Sequence, residues 1–153
     1  MAEVIVSEKL LALSGLDRDA FIRQMTERRQ GTAMEALDIE YVELDPDRVV
    51  MTMPVGPKTR QPAGLLHGGA SVLLAETAAS IAAALNIDLR QYAAVGLEIN
   101  ANHLRSKRDG LVTAVATPLH KGRTTMVWDV KISGEDGKLV CVSRCTVAIV
   151  EQR

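Results

Sequence analysis

The 153-residue sequence predicts an α+β fold in which one long helix packs against an antiparallel sheet. Three observations predict it. First, residues 70–85 are rich in alanine and leucine, the strongest helix formers, and contain neither Pro nor Gly. Twelve of those sixteen residues are apolar, and they lie all round the helix, so burial on every side is expected. Second, two short strand-like segments precede this stretch and four longer ones follow it. Third, the turn residues Asp45-Pro46-Asp47, Asp109-Gly110 and Gly134-Glu135-Asp136-Gly137 punctuate those segments. Strands joined by such short turns pair as antiparallel hairpins.

The elements follow in order. Ser7 can cap a short helix through Leu13, ended by Gly15, and Asp17 can cap a second through Met25. Residues 32–37 can add one more turn. This N-terminal extension, residues 1–36, is too short to hold a core of its own; the main domain is expected over 37–153. Strands are predicted over 39–44 and 49–54. After the helix, Val95, Leu97, Ile99 and Ala101 alternate with Glu98, Asn100 and Asn102. A strand over 111–119 comes next. Met126, Trp128, Val130 and Ile132 alternate with Val127, Asp129 and Lys131, and 139–150 closes the set.

Composition narrows the function classes. A net charge of -1 supplies no global field for nucleic acid, and 3% aromatic residues leave little for base stacking. Any anionic ligand needs a local basic cluster. Two candidates exist: Arg105, Lys107 and Arg108, and the turn Lys121-Gly122-Arg123. Cys141 and Cys145, four apart on a strand, sit about 13 Å from each other, too far for a disulfide. No metal-ligand spacing is present. No basic and apolar leader and no run of 18 apolar residues appear. A cytoplasmic, reduced protein that contacts no membrane is therefore expected.

The chemistry concentrates on the central helix. Glu76 is the only formal charge between Arg60 and Asp88. A lone carboxylate in an apolar helix is costly unless paired or neutralised, so it marks a functional site. His67-Gly68-Gly69 stands at the helix start, where backbone N–H groups lack intrahelical partners and the macrodipole is positive. Glycines there admit a ligand to the backbone, and free amides can hold a developing oxyanion. Ser80, four residues after Glu76, shares its face and can hold the carboxylate or a water. A hydroxyl bonded back to its own helix is the plainer reading of Ser80.

The stretch Gln61-Pro-Ala-Gly-Leu-Leu-His-Gly-Gly-Ala-Ser, with Glu76 nine residues after the His, resembles the active-site segment of hotdog-fold acyl-CoA thioesterases. The run Val95-Gly-Leu-Glu-Ile-Asn-Ala-Asn-His-Leu-Arg-Ser106 is similar to that of the 1,4-dihydroxy-2-naphthoyl-CoA thioesterases of menaquinone biosynthesis. It is similar also to the proofreading thioesterases of enterobactin synthesis. The likeness spans residues 36–150.

The resemblance implies hydrolysis of an aryl-CoA to free acid and CoA, with no metal or redox cofactor. It implies Glu76 as nucleophile or general base, the Gly68 N–H as oxyanion donor, and Gln61 beside the thioester carbonyl. His67 would orient the loop or bond near the thioester. His103 would lie near the acyl ring or pantetheine arm, and Arg105 and Ser106 at the nucleotide. His120 and Thr77 match no role. It also implies dimers with shared active sites that pair into homotetramers. Gly68 and Glu76 are about 12 Å apart along one helix, too far for both to reach one thioester from one chain. Two other readings compete. A hotdog hydratase or dehydratase would carry a His/Asp-type pair in another motif. A non-catalytic acyl-CoA-binding module has no need of a desolvated carboxylate. The acyl pocket itself is expected to be shaped by packing among strands.

Overall fold

The computed structural model describes residues 3–152. The N-terminal helices start where their caps place them. Ser7 Oγ accepts the Leu10 N–H at 3.2 Å to open α1 (Glu8–Ser14), and Gly15 ends it at φ 70, a left-handed conformation that glycine adopts without strain. Asp17 accepts the Ala20 N–H at 2.8 Å to open α2 (Arg18–Arg29). This helix continues past the expected end at Met25. No breaker intervenes before Gly31, and Arg28 and Arg29 suit the negative end of its dipole. Thr32 caps the single turn α3 (Ala33–Ala36).

One seven-stranded sheet carries the rest. Its strands are β1 (Ile5–Val6), β2 (Glu40–Asp45), β3 (Arg48–Pro54), β4 (Tyr92–His103), β5 (Leu111–Lys121), β6 (Thr125–Gly134) and β7 (Leu139–Glu151), in spatial order β1-β2-β3-β5-β6-β7-β4. The parallel pair β1–β2 was not expected, because two residues carry no periodicity. All other neighbours are antiparallel. The expected hairpin between β4 and β5 does not form. β5 pairs with β3 on one side and β6 on the other, and β4 pairs with β7 at the far edge. Residues 104–110 therefore cross between strands that are not neighbours.

The central helix α4 (Gly68–Ala84) packs on β3 through β7. Ser71, Leu74, Ala75, Ala78, Ala79, Ala82 and Ala83 are buried against the sheet. These small side chains let the helix axis lie close to the strands. Burial all round is not what the chain achieves, however. Leu73, Glu76, Thr77, Ser80 and Ile81 form a stripe on the other side that is only half-buried. Leu10, Phe21 and Met25 of the N-terminal helices join Ile39, Met51, Leu74 and Trp128 in one core. The first 36 residues thus pack as part of the same body. Among the described residues, no helix is long and apolar enough to cross a membrane.

A second register feature decides the site. β4 carries a bulge between Gly96 and Glu98: Gly96 pairs with Val147 and Glu98 with Thr146, leaving Leu97 unopposed. The extra residue reverses the side-chain parity along the strand. The residues that share the core side with Val147, Cys145 and Cys141 are therefore Gly96, Ile99, Ala101 and His103. Val95 and Leu97, expected on the same face as Ile99, are 46% and 62% exposed.

Trp128 is fully buried, and its Nε1–H has no hydrogen-bond partner among the described residues. Its contribution to stability is thus one of packing, with a desolvated donor working against it. Trp128→Ala is expected to cost about 3–5 kcal/mol, and Trp128→Phe, which keeps one ring and removes the unpaired donor, clearly less. Urea unfolding of both variants checks this. Equal losses would contradict it.

Candidate functional site

The loop before α4 is tied down at several points. Thr59, almost fully buried, donates its hydroxyl to the Pro54 carbonyl at 2.8 Å and accepts the Gly56 N–H at 3.0 Å. The Gln61 N–H donates to Leu65 O at 2.8 Å, Gly64 N–H to Gln61 O at 2.9 Å, and His67 N–H to Thr59 O at 2.8 Å. The crossing segment joins in, with the Leu66 N–H donating to Lys107 O at 2.7 Å. The backbone that delivers the helix start is therefore rigid, although most of its residues are exposed.

His67 is the N-cap of α4. Its Nδ1 accepts the Gly69 N–H at 2.8 Å, which in the neutral ring leaves Nε2 protonated. The hydrogen bond ties the ring to the first turn of the helix. The Ala70 and Ser71 N–H groups donate to the His67 carbonyl. Among the described residues, the Gly68 N–H is left without a partner. An unpartnered amide at a helix N-terminus is the electrostatic arrangement that favours a negative oxygen. His103 lies over this point: a Cβ added to Gly68 would stand 2.8 Å from His103 Nε2. β4 and the start of α4 are thus in direct contact through these two residues.

Gln61 turns its side-chain carbonyl onto the Ala63 N–H. The amide NH₂ remains as its donor end.

Glu76 sits at mid-helix on the open stripe, and its carboxylate abuts the bulge in β4. A Cβ added to Gly96 would overlap Glu76 Oε1 and stand 3.5 Å from Cδ. Only the missing side chain gives the carboxylate its place. Cys145 lies in the same neighbourhood: burial pushes its thiol up to about 11, and Glu76 and Glu98 add to the effect. Burial of this kind disfavours the thiolate. Glu76, Leu73, Thr77, Ser80 and Ile81 line an open groove of ≈ 370 Å³. The opposite wall is Thr32, Ala33 and Met34, from α3.

The basic clusters divide. Lys107 is paired with Glu135 at 3.0 Å. Lys121 is paired with Asp47 and donates to Asn86 Oδ1, so the second basic turn is committed near the far end of α4. Arg105 and Ser106 are exposed. Arg60 Nε donates to the Arg108 carbonyl at 2.8 Å, and Arg108 Nη1 would be 4.0 Å from a Cβ on Gly64. Arg60 and Arg108 therefore meet at the loop that leads into the helix.

Of the expected site residues, the structure places Glu76 and Ser80 on one groove. It gathers Gln61, His67, Gly68 and His103 at the helix start. Gly96, Arg60 and the α3 residues were not anticipated. A lone glycine in an apolar strand was a signal for Gly96; nothing local marked Arg60 or α3.

Residues 63–141 match the sequence profile of a family described as the thioesterase superfamily. A 1,4-dihydroxy-2-naphthoyl-CoA hydrolase of Listeria monocytogenes is 50% identical over 119 residues, covering 78% of this chain and 96% of that protein. The protein of the same name from Escherichia coli is 49% identical over 121 residues, covering 79% and 88%. A crystal structure of a mutant thioesterase from Pseudomonas aeruginosa superposes with a TM-score of 0.82 at 48% identity, covering 85% of this chain and 94% of that one.

Proposed function

The chain belongs to the thioesterase superfamily, and on that premise we propose that it hydrolyses an aryl-CoA, foremost 1,4-dihydroxy-2-naphthoyl-CoA, to the free acid and CoA. One observation carries the reading: the Glu76 carboxylate, seated against Gly96, opens onto a groove whose other lining is apolar or hydroxylic. Relatives named for hydrolysis of 1,4-dihydroxy-2-naphthoyl-CoA, about half identical, supply the acyl group.

Glu76 can act in two ways. As nucleophile, a carboxylate oxygen attacks the thioester carbon, a C–O bond forms, the C–S bond breaks, and CoA leaves as the thiol after taking a proton. Water then hydrolyses the mixed anhydride. As general base, Glu76 takes a proton from a water that attacks directly, and that proton passes to the departing sulfur. In either route negative charge gathers on the carbonyl oxygen. The Gly68 N–H receives it, aided by the helix dipole, and the Gln61 NH₂ donates beside it. Ser80, on the Glu76 face, positions the water. His103 borders the thioester, and Arg105, Ser106 and the nearby Arg60 and Arg108 hold the phosphates of CoA. The reaction as proposed uses no metal or redox cofactor. The two buried free thiols suit a cytoplasmic setting.

Within one chain Gly68 and Glu76 are about 12 Å apart along the helix. Both groups must lie near 3 Å from atoms of one thioester. An isologous dimer answers this, with Gly68 and Gln61 of one protomer facing Glu76 of its partner. The open stripe of α4 and the exposed Val95 and Leu97 on the edge strand β4 suit such an interface. Pairing of two dimers gives the tetramer.

Glu76→Ala is expected to lower kcat on benzoyl-CoA by about 10²–10⁴-fold, read as CoA release with a thiol reagent, while the melting temperature holds. Near-normal kcat would refute a role in the chemistry.

Mixing inactive Glu76→Ala chains with inactive Gln61→Ala chains under subunit exchange should restore activity. Each heterodimer would hold one site with both lesions and one with neither. Purified heterodimers as inactive as their parents, with wild-type controls active after exchange, would refute the shared site.

A further inference from the structure

The groove beside Glu76 is built from two separate parts of the chain. One wall is the open stripe of α4. The other is α3, the last turn of the N-terminal extension, through Thr32, Ala33 and Met34. A single helical turn does not hold its shape alone, so its fixing is informative. Thr32 Oγ1 accepts the Met34 N–H at 3.2 Å, and the Gly31 N–H donates to Glu35 Oε2 at 2.7 Å. Gly31 makes the preceding turn at φ 68. On the other side, the Met34 carbonyl accepts the N–H of the fully buried Ile39 at 2.8 Å. The Met34 side chain is half-buried against the core, with Sδ 3.9 Å from the Tyr41 hydroxyl. Tyr41 is itself held in β2, opposite Met51. Met34 is thus a flexible, polarisable side chain on a fixed backbone, facing the groove that holds the carboxylate.

Resting on the thioesterase reading above, we infer that α3 is the acyl-selecting wall of the site and that Met34 sets how large an acyl ring the groove admits. Among the described residues of one chain, the lining contains no cation and one carboxylate. An anionic acyl group would enter unpaired beside Glu76, at a steep cost. The groove therefore takes an uncharged acyl group. The hydroxyls of Thr32, Thr77 and Ser80 provide donors and acceptors for a ring hydroxyl. The preferred class is a neutral, hydroxylated aryl thioester. Its selection lies in a helical turn and not among the strands, where the sequence alone had placed it.

The test measures kcat/KM for benzoyl-CoA and 2-naphthoyl-CoA in wild type, Met34→Ala, Met34→Phe and Met34→Leu. Met34→Ala is expected to raise the naphthoyl-to-benzoyl ratio by about tenfold and Met34→Phe to lower it by about the same factor. Met34→Leu, which conserves volume, should keep the ratio within about twofold. Inhibition by free CoA should be the same in all four. Should Met34→Ala fail to fold, Ala33→Phe adds bulk to an exposed position of the same wall and must still lower the ratio. An active wild type whose ratio moves in none of these variants, all rates falling together, overturns the inference while leaving the thioesterase reading intact. A wild type inactive on both aryl-CoAs overturns the aryl-thioesterase reading and this inference with it.

Discussion

The carboxylate of Glu76 can lie where it does because the backbone opposite carries no side chain. That close approach between α4 and the bulge of β4 is the constraint around which the other features arrange themselves. Five buried alanines bring the helix close to the sheet, so a mid-helix glutamate reaches the strand. Gly96 then leaves the space, and the unopposed Leu97 resets the register so that Gly96 faces the helix. A side chain at Gly96 would push the carboxylate aside. The same resetting sends Val95 and Leu97 to the surface of the isolated chain, where an exposed apolar edge strand invites pairing with a second copy. One local irregularity thus sets both the placement of the acid and the exposure of Val95 and Leu97 on the edge strand.

The start of the helix is built by a different logic. There the aim is to leave one backbone donor free on a rigid frame. His67 uses its own ring to occupy the Gly69 N–H, and its carbonyl occupies those of Ala70 and Ser71. Among the described residues, the Gly68 N–H has no partner. The cations of the two basic clusters divide in the same selective way. Glu135 takes Lys107 and Asp47 takes Lys121, whereas Arg60 donates to the Arg108 carbonyl at the loop. Arginine suits phosphate through its planar fork, which is the chemistry the proposed CoA contact would use.

Much of this was legible in the amino-acid sequence, for reasons of range. Ser7, Asp17 and Gly15 act within three or four residues of themselves, and each begins or ends a helix as read. The uncharged stretch around Glu76 is likewise a local fact, and it pointed to the carboxylate. What escaped was non-local. Nothing in residues 92–103 says that their partner is β7 and not β5, because pairing depends on where the chain goes later. The alternation of Val95, Leu97 and Ile99 looked regular, since a bulge is visible only against its partner strand. Helix α4 read as buried on all sides because composition cannot show that one stripe lacks a covering layer. Arg60, 48 residues from Arg108 in the chain but hydrogen-bonded to its carbonyl, carried no local signal at all.

The placement of the Glu76 carboxylate by Gly96 is tested most directly by Gly96→Ala. The added methyl meets the far end of a flexible side chain, so the fold can absorb it by moving the carboxylate. The expected result is an unchanged melting temperature and unchanged KM, with kcat on an aryl-CoA reduced by about 10²-fold, as for a displacement near 1 Å. A folded Gly96→Ala protein with wild-type kcat would contradict the account.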